Sequence, residues 1–388
     1  MKIRSLVLYR LVLPLRQAFR HASHRRSSSD SFVVRVELSD GTTGFGEGVP
    51  REYVTGETID SCFAFLTGVA DRLSACRWSE YAEMVEWLWD MQEHAPERPP
   101  SFAARCALET ALLDAGGRSW RCTPAEVFAV LPDLRQLLAP RAAVRYSGVV
   151  SQDDATRTWR TGLKFRLYGF RDVKVKVGTD ADADALRLRT LRRWLGRSVR
   201  LRVDANGSWS AQEAGARMRQ MAELGVEAVE QPLAREDSPR LAELRGRTKI
   251  GVVLDESLVS ARDAMVAIDG KWGDVFNLRL SKCGGFLACL KLADLARKAG
   301  LACQLGCHPG ETAILSAAGR HFAAALGGLR WLEGSYDRHV LTHNVIDGDV
   351  TFGWGGKARA LVGPGLGIKV NQEKVEALAA RTETLGLA

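Results

Sequence analysis

Three carboxylates recur at near-equal intervals in this 388-residue chain: Asp204 in RVDANGSW, Glu230 in EQPL and Asp255 in LDES, 26 and 25 residues apart. Each closes a short apolar, β-branched run, so three neighbouring strands would deliver acids to one face. Carboxylates gathered that closely repel unless a hard cation lies between them, and an all-oxygen set suits Mg²⁺. Any one acid could instead cap a following helix or pair with an arginine, but capping does not require the same position three times. A second pattern accompanies the first. Lys174 and Lys176 stand two apart, so on a strand both point to one side and Val175 to the other. Adjacent ammonium groups lower each other's pKa, which would leave one as a neutral base near pH 7. Only 12 of the 54 basic residues are lysine, and arginine would stay protonated. Two lysines here therefore point to proton transfer, with a solvated pair of charges as the bland alternative.

Acids and lysines at successive strand ends need a repeating βα scaffold. Strand-like runs fall at 144–149, 172–177, 200–204, 228–231, 251–255, 275–280, 302–306 and 329–332, and the first seven are each followed by an amphipathic helical stretch such as 211–224 or 287–299. Such units give parallel strands joined by right-handed crossovers, and seven or eight of them give a closed TIM-type (β/α)7β barrel. An open doubly wound sheet would be expected to carry a Gly-rich phosphate loop after its first strand, and none is visible. Ahead of the barrel, 5–13 and 31–38 are β-rich, and SDGTTGFGEG places a hairpin turn at Asp40-Gly41. From 59 to about 130 the pattern is helical; in SFAARCALETALLDAGGRS, Ser101 is expected to cap a helix and Gly116-Gly117 to end it. The class is thus α/β: an α+β capping domain over 1–135, the barrel over 136–340, and a tail over 341–388 that returns to the capping domain through segments at 350–352 and 372–380.

Composition narrows the function classes. Apolar residues make up 46% and charged residues 26%, as in water-soluble globular proteins. The net charge of +8 is spread along the chain among 46 acids, without an aromatic-and-basic RNA motif, so nucleic acid is not an expected partner. No apolar run is long enough for a membrane span, and the opening MKIRSLVLYRLVLPLR alternates where a signal peptide would be continuously apolar. A cytoplasmic location is expected, with the 8 cysteines reduced, since no CxxC pair is present.

The elements VKVKVG, RVDANGSW, EQPL, LDES and NLRLSKCGG, in this order and spacing, resemble the muconate-lactonizing-enzyme branch of the enolase superfamily, which includes dipeptide epimerases and o-succinylbenzoate synthases. The likeness spans nearly the whole chain, because SDGTTGFGEG and RCALETALLDAGG resemble that family's capping domain. The resemblance implies Asp204, Glu230 and Asp255 as ligands of Mg²⁺, for which Mn²⁺ could substitute, Lys176 as the acid/base and Lys174 as the neighbour that tunes it. It also implies a mobile lid over the barrel mouth from residues 19–26 and 51–57. Phe19, Arg20, His21 and Arg51 in that lid, with Asn206 and Glu256 beside the acids, are expected near a small carboxylate substrate. His21, His24, Arg20, Arg25 and Arg26 make the lid basic, which favours a second anionic or polar group on the substrate. A homo-oligomer is expected.

The pattern also departs from the family. Where members usually carry a second lysine at the end of strand six, this chain has Arg279, and Lys282 belongs to the adjoining turn and is expected to face elsewhere. A permanently protonated arginine is a poor proton carrier but can hold an enolate by charge. His308 in LGCHPGE and Glu333 in RWLEGS are the candidates for a second acid/base, and Trp331 stands where dipeptide epimerases commonly carry the first aspartate of an Asp-x-Asp pair. Three readings follow: a one-base lyase or cycloisomerase working through an enediolate, which the lost lysine favours; an epimerase or racemase with His308 or Glu333 opposite Lys176; and a non-catalytic barrel that binds a carboxylate.

Overall fold

The computed structural model describes residues 1–20, 25–94, 99–151, 157–178, 180–246 and 248–387. His21 and His24, and the side chains of Phe19, Arg20, Arg25 and Arg26, lie outside the described residues.

An antiparallel sheet opens the chain. Its strands Ile3–Arg20, Arg25–Leu38 and Thr43–Gly48 are joined by Ala379–Gly386, which returns from the far end of the sequence to pair with the first. The Asp40-Gly41 turn forms where its residue types place it, with Gly41 at φ +85° and its N–H donating to Leu38 O at 3.0 Å. One face of the sheet packs on the helix Phe102–Trp120. The GFGEG motif allows the approach: a Cβ at Gly44 would lie 2.2 Å from Ala115 N, and one at Gly46 would lie 1.9 Å from Ala107 O. Gly46→Ala is therefore expected to lower stability by about 1–3 kcal/mol, the usual cost of overpacking, read as a fall in the urea midpoint at unchanged slope.

Two expectations for that helix fail. Ser101 occupies the N-cap position but its hydroxyl caps nothing; Glu57 Oε1 reaches in from another segment to accept from Ala103 N at 2.9 Å. Gly116-Gly117 does not end the helix, which runs on to Trp120 and stops at Arg121 in the left-handed region. The two glycines make room instead, Gly116 for the Met84 side chain and Gly117 for the backbone of Gly365.

Eight parallel strands follow in chain order: Gly148–Val150, Asp172–Lys176, Arg200–Asp204, Val226–Glu230, Gly251–Leu254, Val275–Leu278, Ala302–Leu305 and Leu329–Leu332. They are called barrel strands one to eight below. The N–H of Ser147, just before strand one, donates to Leu332 O of strand eight at 2.8 Å and joins the two ends of the sheet. Helices such as Ala181–Leu195 and Phe286–Lys298 connect the strands with their apolar faces inward, so the architecture is the (β/α)7β barrel with a capping sheet. The run at 144–149 is not one strand. Ala143–Arg145 pairs antiparallel with Lys357–Arg359, and the chain changes partners at Tyr146 and Ser147, whose N–H groups go to Gly356 O and Leu332 O. Residues 350–352 form no strand either: Phe352 stacks on Tyr146 with ring centroids 5.5 Å apart and meets Phe170 edge-on at 5.8 Å. No described helix is long and apolar enough to cross a membrane.

Candidate active site

The strand pairing places the three acids side by side. Asp204 lies opposite Glu230 in the ladder between strands three and four, and Asp255 follows immediately on strand five. All three are buried. The turns that follow the first two are tight: Asn206 has φ +45° and Gln231 φ +37°, conformations costing a non-glycine residue about 1–3 kcal/mol each. Gln231 offsets its share by organising two strand ends. Its Oε1 accepts from Asp255 N at 3.1 Å and Ser257 N at 3.2 Å, and its Nε2 donates to Leu233 O at 2.8 Å.

Each carboxylate is gripped differently. Asp204 Oδ1 accepts from Asn206 N at 3.0 Å and Oδ2 from Lys176 Nζ at 2.7 Å. Glu230 accepts from Asn277 Nδ2 at 3.0 Å, Gln304 Nε2 at 2.9 Å and Lys174 Nζ at 3.3 Å, with Arg279 Nη2 at 3.5 Å. Asp255 Oδ1 accepts from Lys282 Nζ at 2.8 Å, and Oδ2 pairs with Arg279. Burial pushes the Glu230 carboxyl up to about 8; Lys174 opposes that rise, and the charges of Asp204, Glu333 and Asp255 add to it. Burial works the same way on Asp204, but there Lys176 and Lys174 outweigh it and hold the carboxyl below its ordinary range.

The two lysines of VKVKVG do different work. Lys174 is buried on three carboxylates, Glu333 Oε2 at 2.7 Å and Glu230 Oε1 and Asp204 Oδ2 at 3.3 Å each. Its side chain is 3% exposed, against 14% for Lys176. Burial disfavours the Lys174 ammonium, yet Glu230, Glu333 and Asp204 overcome that and raise its pKa above the usual lysine value. The expected mutual lowering of the two lysines therefore fails for Lys174: three carboxylates, rather than its neighbour, set its charge. Lys176 donates to Asp204 Oδ2 and Asn206 Oδ1, both at 2.7 Å.

Other candidates sort by their contacts. Glu333 is held between Lys174 and Arg202; burial raises its pKa, but those two cations bring it below the ordinary glutamate value, and it is the counter-ion of both. Arg202 itself escaped the sequence reading, although its place two residues before Asp204 puts it on the same side by strand alternation. It also lies 5.2 Å over the Trp331 ring, which belongs to an apolar cluster with Ala228, Val253 and Val275. His308 is buried, and its backbone N–H donates to Glu311 Oε1 at 2.5 Å. Arg51 is buried, its guanidinium donating to backbone carbonyls of Pro50 at 2.9 Å, Pro309 at 3.0 Å and Asp30 at 3.2 Å. It thus clamps the segment after strand seven to the capping sheet. Lys282 does not face elsewhere: it points at Asp255, turned back by the short helix Leu280–Cys283. All eight cysteines are free thiols.

The donor set also bears on a metal. Among the described residues no three acidic, histidine or cysteine side chains already converge as a cation cage, and Lys174, Lys176, Arg279 and Lys282 stand against the carboxylate oxygens. One oxygen has no such partner. Glu256 accepts from Asn206 Nδ2 at 3.1 Å through Oε1, while its buried Oε2 lacks a hydrogen-bond partner among the described residues. Burial, with the charges of Asp255 and Asp204, pushes that carboxyl up to about 7. Four carboxylates of hard oxygen, one with an unsatisfied atom, fit a hydrated divalent cation such as Mg²⁺.

Comparison with known proteins agrees. The chain is 29% identical to the N-succinyl-L-Arg/Lys racemase of Bacillus cereus over 97% of its own length and 98% of that protein. It is 30% identical to the L-Lys-D/L-Arg epimerase of Methylococcus capsulatus, over 95% and 99% of the two chains. The crystal structure of a dipeptide epimerase from Enterococcus faecalis, complexed with Mg and the dipeptide L-Leu-L-Tyr, superposes with a TM-score of 0.83 at 26% identity, over 95% of this chain and 100% of that one. Residues 160–375, more than half of the chain, match the family model described as enolase C-terminal domain-like. By that match the chain belongs to the mandelate racemase/muconate lactonizing enzyme branch of the enolase superfamily.

Proposed function

We propose that this protein is an Mg²⁺-dependent racemase or epimerase that removes and returns the proton α to the carboxylate of an amino-acid derivative. The observation that carries it is Lys176 Nζ, 2.7 Å from Asp204 Oδ2 and partly open, at the end of strand two, beside the three successive strands that close on Asp204, Glu230 and Asp255. The one-base lyase preferred from Arg279 alone gives way, because the relatives the chain resembles along nearly its full length are named racemases and epimerases.

Asp204, Glu230 and Asp255 would hold the ion. When bound, Mg²⁺ supplies electrostatic stabilisation as negative charge develops on the substrate carboxylate. Lys176 takes the α-proton, oriented by Asn206 Oδ1 and Asp204 Oδ2. Lys174 keeps its charge and holds Asp204, Glu230 and Glu333 together. Strands two and six lie on opposite sides of an eight-stranded barrel, so groups at the ends of strands six and seven reach the other face of the substrate carbon. Arg279 there is bound to Asp255 and Glu230 and supplies fixed charge. His308, just after strand seven, is the group assigned to that side as the second acid/base.

The test is incubation with Mg²⁺ in D₂O of N-acylated amino acids and dipeptides, following configuration and deuterium together. Inversion with deuterium in both isomers is expected. His308→Asn is expected to lower inversion by about 10²-fold or more while exchange through Lys176 persists for one isomer. A second reading keeps one-base chemistry, favoured by the pinned Glu333 and the arginine on strand six. Exchange with retained configuration, or elimination, in the wild type would select that reading and sink the first.

A further inference from the structure

Lys282 occupies a position that neither acid/base chemistry nor solvation explains. The backbone ladder between strands five and six ends at the pairs Val253–Val275 and Leu254–Phe276. The next carbonyls along those strands are Asp255 O and Asn277 O, and both accept from Lys282 Nζ, at 2.8 and 2.9 Å. The third hydrogen goes to Asp255 Oδ1 at 2.8 Å. An ammonium has three hydrogens, so none is left for a substrate, and Lys282 is not the missing second lysine of strand six. Its side chain is 1% exposed. Burying an ammonium costs several kcal/mol unless acceptors surround it, and here three do.

The turn that carries Lys282 is braced from outside the barrel. Ser281 Oγ accepts from Val49 N at 2.8 Å, and Glu109 Oε1 accepts from Phe286 N at 2.5 Å and Leu287 N at 3.2 Å, capping the next helix. The ammonium therefore rests on a fixed base and bonds to fixed carbonyls. Of the two Asp255 oxygens, Oδ1 is committed to it, and Oδ2 pairs with the guanidinium of Arg279.

Resting on the metal reading above, we propose that Lys282 is a positioning residue for the divalent ion: it locks the Asp255 carboxylate through Oδ1 so that Oδ2 is the oxygen offered to the metal. Partners that orient a metal ligand are typically worth 10–100-fold in affinity.

Calorimetric titration of the full chain with MgCl₂ tests this without substrate. K282M is expected to weaken Mg²⁺ binding by about 10–100-fold. K282R keeps the charge but cannot set three donors on the same three acceptors, and is expected to weaken it by about tenfold or more; it also decides the matter if K282M does not fold. Leu290→Ala, in the buried face of the helix after the turn, is expected to lower the melting temperature while leaving Mg²⁺ affinity unchanged, which separates positioning from general loosening. Mg²⁺ affinity within threefold of wild type in folded K282M, or in K282R, would overturn the proposal. A wild-type chain that binds no Mg²⁺ would instead overturn the metal reading on which it rests.

Discussion

Lys176→Ala is expected to lower kcat/KM by about 10²–10⁴-fold, the contribution of a positioned general acid/base, equivalent to about 2.7–5.4 kcal/mol at 1.36 kcal/mol per decade. The reason lies in how the hydrogens of the two neighbouring lysines are used. Lys174 faces three carboxylates, whereas Lys176 bonds to Asp204 Oδ2 and Asn206 Oδ1 and keeps one direction open. Removing Lys176 also removes a cation that competes with a metal for Asp204, so Mg²⁺ affinity in the variant should be equal to or higher than in the wild type. A loss of activity through disrupted metal binding would have the opposite sign. Lys174→Ala behaves differently: it removes the one cation shared by Glu333, Glu230 and Asp204, which Arg202, Arg279 and Lys176 then offset only in part, and is expected to cost about 3–5 kcal/mol of stability. Activity of Lys176→Ala above a tenth of the wild-type value, measured at saturating Mg²⁺, would remove this residue from the chemistry.

The legible and illegible parts of this site divide along a physical line. Asp204, Glu230, Asp255 and the Lys174–Lys176 pair could be read because strand alternation and the βα repeat fix their side and level from local sequence alone. The same alternation reaches Arg202, Asn277 and Gln304, each buried and bonded to a site acid, but their residue types carry no chemistry that draws notice. Lys282 could not be placed that way, since a four-residue helix reverses its direction. The charge of Lys174 and the pinning of Glu333 depend on strands two, three, four and eight meeting in space, which no spacing reports. Similarly, Gly116-Gly117 has the composition of a helix stop, yet the Met84 side chain and the Gly365 backbone against it decide otherwise. Arg51 was expected to meet substrate because it lies in a lid-like segment; carbonyls on either side, Asp30 and Pro309, make it a clamp.

Removing divalent metal is expected to have the largest effect of all. Chelation by EDTA should lower activity by about 10³-fold or more, because electrostatic stabilisation by a metal is worth several kcal/mol and each 1.36 kcal/mol is a decade. Mg²⁺, and Mn²⁺ in its place, should restore it. The site's own cations do not take the place of that charge. Lys176 and Arg279 neutralise Asp204 Oδ2 and Asp255 Oδ2 only by occupying the oxygens a substrate-bearing ion would use, and Glu256 Oε2 has no hydrogen-bond partner among the described residues. Asp204, Glu230 and Asp255 would hold a divalent ion there, and it would supply the positive charge that Lys176 otherwise gives to Asp204, leaving Lys176 to act on the substrate. Since the ion binds only the folded site, it should also stabilise the chain, by about 2.7 kcal/mol at a concentration 100 times its dissociation constant. Melting temperature should therefore climb with Mg²⁺ concentration, and this rise should shrink in Asp204→Asn and Glu230→Gln, which lose ligand charge. If EDTA leaves turnover intact, or if Mg²⁺ shifts the melting of wild type and these two variants equally, the acids at strands three, four and five are not holding the metal.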